Sequence, residues 1–445
     1  MPQPANQDKT INASPTKDFF ISMLVRDIEL VDAIADLVDN CVDGARRLKP
    51  NGNYAGLTVR VEATDEHFKI ADNCGGITVD LARNYAFRFG RPKGMPETPH
   101  SVGQFGIGMK RALFKLGNHF VVRSATADSR FMIDVDVNEW RQDENKWEFE
   151  FAQLTENVSV PVDKRGTTIE VTSLNKGVAS EFALENFQNR LTSTLAAKHE
   201  LSLQKGLSMT LNRTPLKFAA SELLRSGELK PAYRELSLKP DGKTPVTVKI
   251  YVGVSESEPD AGGWYVYCNG RLVLEADKTS TTCWGEGQDV TIPKYHNQYA
   301  RFRGYAFFDC DDASLLPWNT SKTDMALDSP LYQAVRQQMI VLMRPAIDFL
   351  NRLRQEERLS HEGGETPLAD IVEDANSVTL SKIKTQPTFA APTYVAVRRP
   401  KTHGNILYSK PLDEIRKIQR ALKVASYKEV GEKTFEYFLN SEFDK

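Results

Sequence analysis

Between residues 29 and 47, apolar and polar side chains separate onto two stripes. Val31, Ile34, Ala35, Val38, Val42 and Ala45 recur at helical spacing, and Asp32, Asp36, Asn40 and Asp43 recur at the same spacing beside them. The pattern predicts an amphipathic helix, preceded by a short helix over 18–24 and ended by a Gly- and Asn-rich turn over 44–56. Alternation over 57–62 and 67–71 predicts a hairpin. The arginine- and proline-containing stretch 80–102 has no period and is expected to be an irregular lid or binding loop. Glycines at 103, 106 and 108 then open an apolar-periodic helix, and strands are expected over 119–124, 130–137, 147–151 and 166–172.

Farther on, the pattern predicts a helix over 181–203 and strands over 244–254 and 264–273. A long helix follows over 329–359, with Leu331, Val335, Met339, Leu342, Ile347 and Leu350 on one face. Residues 360–408 read as a linker or extended arm. Residues 409–440 return to helix, with a Ser426–Glu429 capping-box pattern. A helix–hairpin–lid–helix order followed by an antiparallel run predicts an α/β sandwich, not a doubly wound parallel sheet.

A chain of 445 residues leaves room for two or three domains. Its net charge of −2 makes no global case for nucleic-acid binding, although Arg398, Arg399, Lys401, Lys410, Arg416, Lys417, Arg420 and Lys423 make the end of the chain locally basic. Five cysteines without CxxC spacing argue against a zinc site or a disulfide framework and are expected to be free thiols in a reducing compartment. The first 16 residues are polar, with no signal-peptide pattern, and no apolar run approaches the roughly 18 residues that span a bilayer. A cytoplasmic protein without a membrane role is expected.

Three segments carry candidate chemistry. The Asp/Asn stripe is either a solvated helical face or a set of oxygens able to hold Mg²⁺ and orient a water. Asp72 ends the second strand, and Gly75 and Gly76 let the backbone turn there and approach a ligand closely, so Asp72 could accept a hydrogen bond from an exocyclic amine. Gly103, Gly106 and Gly108 precede a helix whose first turns carry Lys110 and Arg111, a ready anion site. No GxxxxGK[ST] motif occurs.

The stretches DLVDNCVDGA (36–45), IADNCGGI (70–77), VGQFGIGMKRALFKLG (102–117) and RGTTIEV (165–171), in that order, resemble the ATP-binding signature of the GHKL superfamily: gyrase B, heat-shock chaperones, histidine kinases and MutL. The MORC-type and MutL-like two-domain members look most similar. The resemblance implies a Bergerat-type α/β sandwich that binds ATP with Mg²⁺. It gives Asn40 the role of metal ligand, Asp36 that of the base for the attacking water, and Asp43 that of bracing the pocket. Asp72 and Thr167 would meet adenine, with Gly76 beside it and Ile77 packed on it. Gly103, Gln104, Phe105, Gly106, Ile107, Gly108 and Met109 would wrap the phosphates, and Lys110 would add charge there. Asp36 stands where many members have Glu, and Cys74 replaces the first glycine of the family's DxGxG.

YCNGRL (267–272) resembles the strand–turn–strand of the transducer domain that follows in MutL and MORC proteins, and Lys322 matches the loop lysine that reaches the γ-phosphate there. The implied architecture is a mobile leader over 1–17, an ATP-binding domain over 18–195, a smaller α/β transducer-like domain over 196–328, and a helical C-terminal region over 329–445 with a linker at about 360–408. The implied function is ATP hydrolysis that drives homodimerisation or domain rotation and acts on DNA or a partner protein, as related members do in DNA repair, chromatin and antiviral defence in bacteria. Asp36 and Cys74 favour an alternative, an ATP-gated binding module with little turnover; a heat-shock-type chaperone is a third reading.

Overall fold

The computed structural model describes residues 13–90, 99–103, 106–286, 292–360, 366–384, 386–393, 404 and 406–443. The described residues of 13–358 and 366–393 form one compact unit, and those of 359–360 and 404–443 belong to a second.

The first unit begins with helices α1 (Lys17–Arg26) and α2 (Leu30–Leu48) and the hairpin β1 (Thr58–Ala63) and β2 (Phe68–Asp72). After α3 (Val79–Leu81) come α4 (Gly108–Leu116), β3 (Gly117–Ala125), β4 (Ser129–Asp136), α5 (Val137–Gln142), β5 (Phe151–Glu156) and β6 (Gly166–Leu174). Helices α6 (Lys176–Phe182), α7 (Glu185–Lys198) and α8 (Glu200–Gln204) lead to β7 (Ser208–Leu211) and β8 (Thr214–Pro215). These strands make one sheet in the order β5-β4-β3-β6-β2-β1-β7-β8, antiparallel except where β7 joins β1. The apolar stripe of α2 (Val31, Ile34, Val38) shares a core with Val59, Ile70, Val122 and Ile169 of the sheet and with Leu113 and Leu191 of α4 and α7. Helices layered on a largely antiparallel sheet form the expected α/β sandwich.

Two sequence expectations change here. The stretch read as irregular from residue 80 stays helical through a π turn at Ala82–Ala86. The Thr78 hydroxyl caps α3 by accepting from Leu81 N at 3.2 Å, and Val79 and Ala82 are buried. The strand expected from Trp147 begins instead at Phe151, because Trp147 and Phe149 turn into an aromatic cluster with Phe89 and Trp140.

A second sheet, β10 (Ala232–Leu238), β11 (Val246–Val254), β14 (Phe302–Asp309), β12 (Gly263–Cys268) and β13 (Arg271–Asp277) in spatial order, has only β12 and β14 parallel. Helix α9 (Pro330–Ser360), grouped by sequence with the C-terminal region, packs Leu331, Val335, Met339, Leu342 and Leu350 into the core of this sheet.

The linker reading fails over the described part of 366–393. Helix α10 (Pro367–Glu373) and strand β15 (Asn376–Thr379) form there, with β15 paired to β9 (Glu222–Arg225). Leu368, Val372, Leu380, Ile383 and Phe389 are buried, and the Glu356 carboxylate accepts from Leu368 N at 2.9 Å at the start of α10. The partners of this segment are distant in sequence, so its own composition gave no sign of order.

The second unit contains α11 (Leu412–Leu422) and α12 (Tyr427–Phe443). Ser426 and Glu429 make the reciprocal capping box, Ser426 N to Glu429 Oε2 at 3.0 Å and Glu429 N to Ser426 Oγ at 3.2 Å. Arg416, Lys417, Arg420 and Lys423 are exposed; Arg398, Arg399 and Lys401 lie outside the described residues. Among the described residues no helix is long and apolar enough to cross a membrane.

Candidate functional site

One cleft gathers most of the residues singled out above. Asp36, Asn40 and Asp43 line it from α2, Asp72, Gly76 and Ile77 from the end of β2, and Thr167 from β6. Gly103, Gly106, Ile107, Gly108, Met109, Lys110 and Arg111 close another side, and Thr320 and Lys322 enter from the loop after β14. Gln104 and Phe105 lie outside the described residues.

The end around Asp72 is set by backbone geometry. Asp72 Oδ1 accepts from Cys74 N at 2.7 Å, and burial raises the carboxyl above its usual value. Ser124 Oγ accepts from Ile77 N at 2.7 Å and lies 3.1 Å from Thr167 Oγ1, which fixes the loop after β2 to β3 and β6. Gly76 has φ of 77°, and a Cβ there would lie 2.2 Å from the Ala125 carbonyl oxygen, so only glycine fits. Cys41 and Cys74 line the same end, and burial raises both thiols.

Along α2, each turn has a different task. Asn40 is exposed, and its Nδ2 donates to Asp36 O at 3.1 Å. Asp43 accepts from Val102 N at 2.9 Å and Gly103 N at 2.8 Å, anchoring the chain that enters the glycine segment. Arg46 pairs with Asp43 at 3.2 Å and donates to the carbonyls of His100 and Asn269. Asn269 and Gly270, at φ of 46° and 76°, form the tight turn between β12 and β13. Thus α2 touches both the glycine segment and the second sheet.

At the opposite end the ionic groups are paired with one another. Asp36 Oδ2 accepts from Arg111 Nη2 at 2.6 Å, and Asp36 Oδ1 accepts from Lys322 Nζ at 3.1 Å. Lys322 also donates to Asp39 Oδ2 at 2.8 Å. Arg271 Nε and His199 Nε2 each lie 3.0 Å from Asp39 Oδ1. All six side chains are buried. The close packing of α4 on α2 accompanies the Arg111 approach: a Cβ on Gly108 would lie 3.1 Å from Asp36 Oδ2.

The protonation pattern follows from this network. Burial would raise Asp39, but Arg271 and Lys322 outweigh it and hold the carboxyl far below its usual range. Burial lowers Lys322, and Asp36 and Asp39 more than restore it, so its ammonium persists. His199 is lowered by burial, against the pull of Asp39. Its two ring nitrogens face acceptors, Leu195 O and Asp39 Oδ1, so both contacts are hydrogen bonds only in the imidazolium form. Among the described residues Lys110 has no carboxylate partner; its Nζ donates to Ala86 O at 2.9 Å and to Gly106 O, and burial lowers its pKa to about 7.

The expected residues therefore share a cleft, but not with the orientations the resemblance gave them. Asp36 and Lys322 meet each other instead of presenting free groups to a ligand, and Lys110 is turned to backbone carbonyls. Asp39, His199 and Arg271 were not singled out in the sequence. Asp39 had a usable signal, one turn after Asp36 on the same helix, whereas His199 and Arg271 reach it from 160 and 232 positions away.

Among the described residues no group of three or more His, Cys, Asp or Glu is placed to hold a metal ion. Asn40 does offer a side-chain oxygen at the cleft, 3.7 Å from where a Cβ on Gly103 would be. One neutral oxygen suits a Mg²⁺ that takes its other ligands from phosphates and water.

No curated protein matches the chain. Residues 28–167, the segment from just before α2 to Thr167, match the family model described as histidine kinase-, DNA gyrase B- and HSP90-like ATPase.

Proposed function

We propose that the protein binds ATP in this cleft and hydrolyses it, and that Lys322 ties the nucleotide state to the second sheet. The convergence of Asp72, Thr167, Asn40, the glycine segment and Lys322 on one cleft carries this reading. Adenine lies against Ile77, with its amino group donating to Asp72. The backbone N–H groups at the start of α4 face the phosphates. Asn40 would hold Mg²⁺, which when bound neutralises phosphate charge.

Lys322 leaves its two carboxylates for the γ-phosphate. That frees Asp36 Oδ1 to orient the attacking water and take its proton as the water oxygen bonds to phosphorus and the bond to the leaving ADP oxygen breaks. A lysine that serves only the γ-phosphate distinguishes ATP from ADP, and its loop carries that difference to the second sheet. By resemblance, the ATP-bound form is a homodimer that acts on DNA or a partner protein; the exposed cations of α11 support contact with DNA.

One observation favours the reading with little turnover: Asp36 is held by two cations, so its access to an attacking water depends on how far Lys322 withdraws. Titration calorimetry with ATP and ADP, phosphate release with Mg²⁺, and mass in solution with a non-hydrolysable analogue, with and without double-stranded DNA, test these parts. Nucleotide binding without phosphate release selects the binding module. An absence of nucleotide binding rejects both readings.

A further inference from the structure

Six buried ionisable groups meet where α2 faces the second sheet, and their pairing is unequal. Asp36 has two cationic partners, Arg111 and Lys322. Asp39 has Lys322 and Arg271, with His199 as a third contact. Lys322 is the only one of these partners shared by both carboxylates. If it leaves, Asp36 keeps Arg111 at 2.6 Å and Asp39 keeps Arg271 at 3.0 Å, so neither carboxylate is left as a lone buried charge. Removing Arg111 leaves Asp36 with Lys322 as its cation, and removing Arg271 leaves Asp39 with Lys322 and the His199 contact, so in either case the lysine becomes costlier to withdraw, because an unpaired buried charge is strongly unfavourable.

Arg271 shows a second sign of this arrangement. Its side chain is 1% exposed, yet Nη1 and Nη2 have no hydrogen-bond partner among the described residues, and Nε faces Asp39 without hydrogen-bond alignment. Buried guanidinium donors normally find acceptors. Here they stand uncommitted beside a carboxylate whose Oδ2 is occupied by Lys322. When that oxygen is vacated, donors are already at hand to take it. Lys322 itself has φ of 56°, a left-handed conformation that a lysine rarely adopts and that the loop holds through Asn319, which accepts from Lys322 N at 3.0 Å and, through Oδ1, from Thr323 N at 3.0 Å. Every group around the lysine has a substitute partner, and the lysine is the strained member.

We infer that Arg271 is a positioning residue, a standby counter-ion for Asp39 that makes Lys322 the one transferable cation of the network and so sets how strongly the cleft prefers a nucleotide with a γ-phosphate. The inference rests on the reading that Lys322 serves the γ-phosphate. It adds a group from β13, remote from the ligand, that determines whether Lys322 can go.

The test measures dissociation constants for ADP and for a non-hydrolysable ATP analogue on the full chain, with thermal melting as a check on folding. In Arg271→Met, Lys322 is pinned to Asp39; the preference for the ATP analogue over ADP falls about tenfold, while ADP affinity changes less than about twofold. Arg271→Lys restores most of the preference. The double variant Asp39→Asn with Arg271→Met removes the charge that pins the lysine and returns the preference toward that of the unaltered protein; it remains informative if Arg271→Met alone fails to fold. Equal weakening of both nucleotides in Arg271→Met, or a double variant no better than the single one, overturns the inference. Failure of the unaltered protein to bind either nucleotide rejects the parent reading instead, and this one with it. Preference lost in Lys322→Met but intact in Arg271→Met keeps the parent reading and overturns this one alone.

Discussion

The two ends of the cleft are built on opposite principles. Around Asp72 the polar groups are fixed by short backbone contacts, Cys74 N on the carboxylate and Ile77 N on Ser124. Around Asp36 the ionic groups satisfy one another, with both oxygens of Asp36 and the ammonium of Lys322 already engaged. On the proposed reading, the first end would supply affinity that is insensitive to what is attached to the base, and the second would respond to a group able to compete for Lys322. Binding and discrimination would then fall to different residues, and the contrast can be tested piece by piece.

The largest effect is expected from Asp36→Asn. Phosphate release should fall about 10²–10⁴-fold, the span general-base catalysis covers, while nucleotide binding persists. Unchanged turnover would put the base elsewhere. Asp72→Asn should weaken ATP and ADP alike, by about 10–100-fold for a lost charge-assisted hydrogen bond. Unequal losses would mean that the two ends are not independent.

Lys322→Met should reverse that pattern: ATP affinity falls about tenfold and ADP affinity changes less than about twofold, as calorimetry would show. Equal losses would remove the lysine from the γ-phosphate.

The smallest signal is a proton. Burial holds Lys110 near 7, so at about pH 8 its amine is mostly neutral, and a triphosphate nearby favours the charged form. Nucleotide binding at about pH 8 should therefore take up to roughly one proton, and much less at about pH 6, where the lysine already carries it. Calorimetry in buffers of different ionisation enthalpy measures this, and Lys110→Met should abolish the uptake.

The same contrast explains what could be read from the sequence. The stripe of α2, the strand-end Asp72 with its glycines, and the glycine-led α4 are local patterns, and each lands in the cleft. The α/β sandwich followed from the order of helices and alternating strands. The ion-pair network was largely hidden, because Asp39 meets His199 and Arg271 across long stretches of chain and a buried arginine in a strand looks like any other polar position. In the sequence Arg271 stands out only as part of the YCNGRL turn motif. The segment after α9 was hidden for a related reason: β15 is four residues long and is ordered by pairing with β9. Short elements that depend on distant partners leave no periodicity of their own.

The tie between α2 and the second sheet has a pharmacological consequence. Arg46, in the turn of α2 after Asp43, reaches Asn269 between β12 and β13, and Lys322, on the loop after β14, reaches Asp36 and Asp39, so α2 is tied to the second sheet and its loop at two points, neither of them made through Asp72 or Ile77. A flat heterocycle that fills only the space around Asp72 and Ile77 would therefore exclude ATP without disturbing either fastening. Such a compound would act as a silent competitor, whereas one bearing an anion long enough to draw Lys322 away would be an agonist of the nucleotide-bound state.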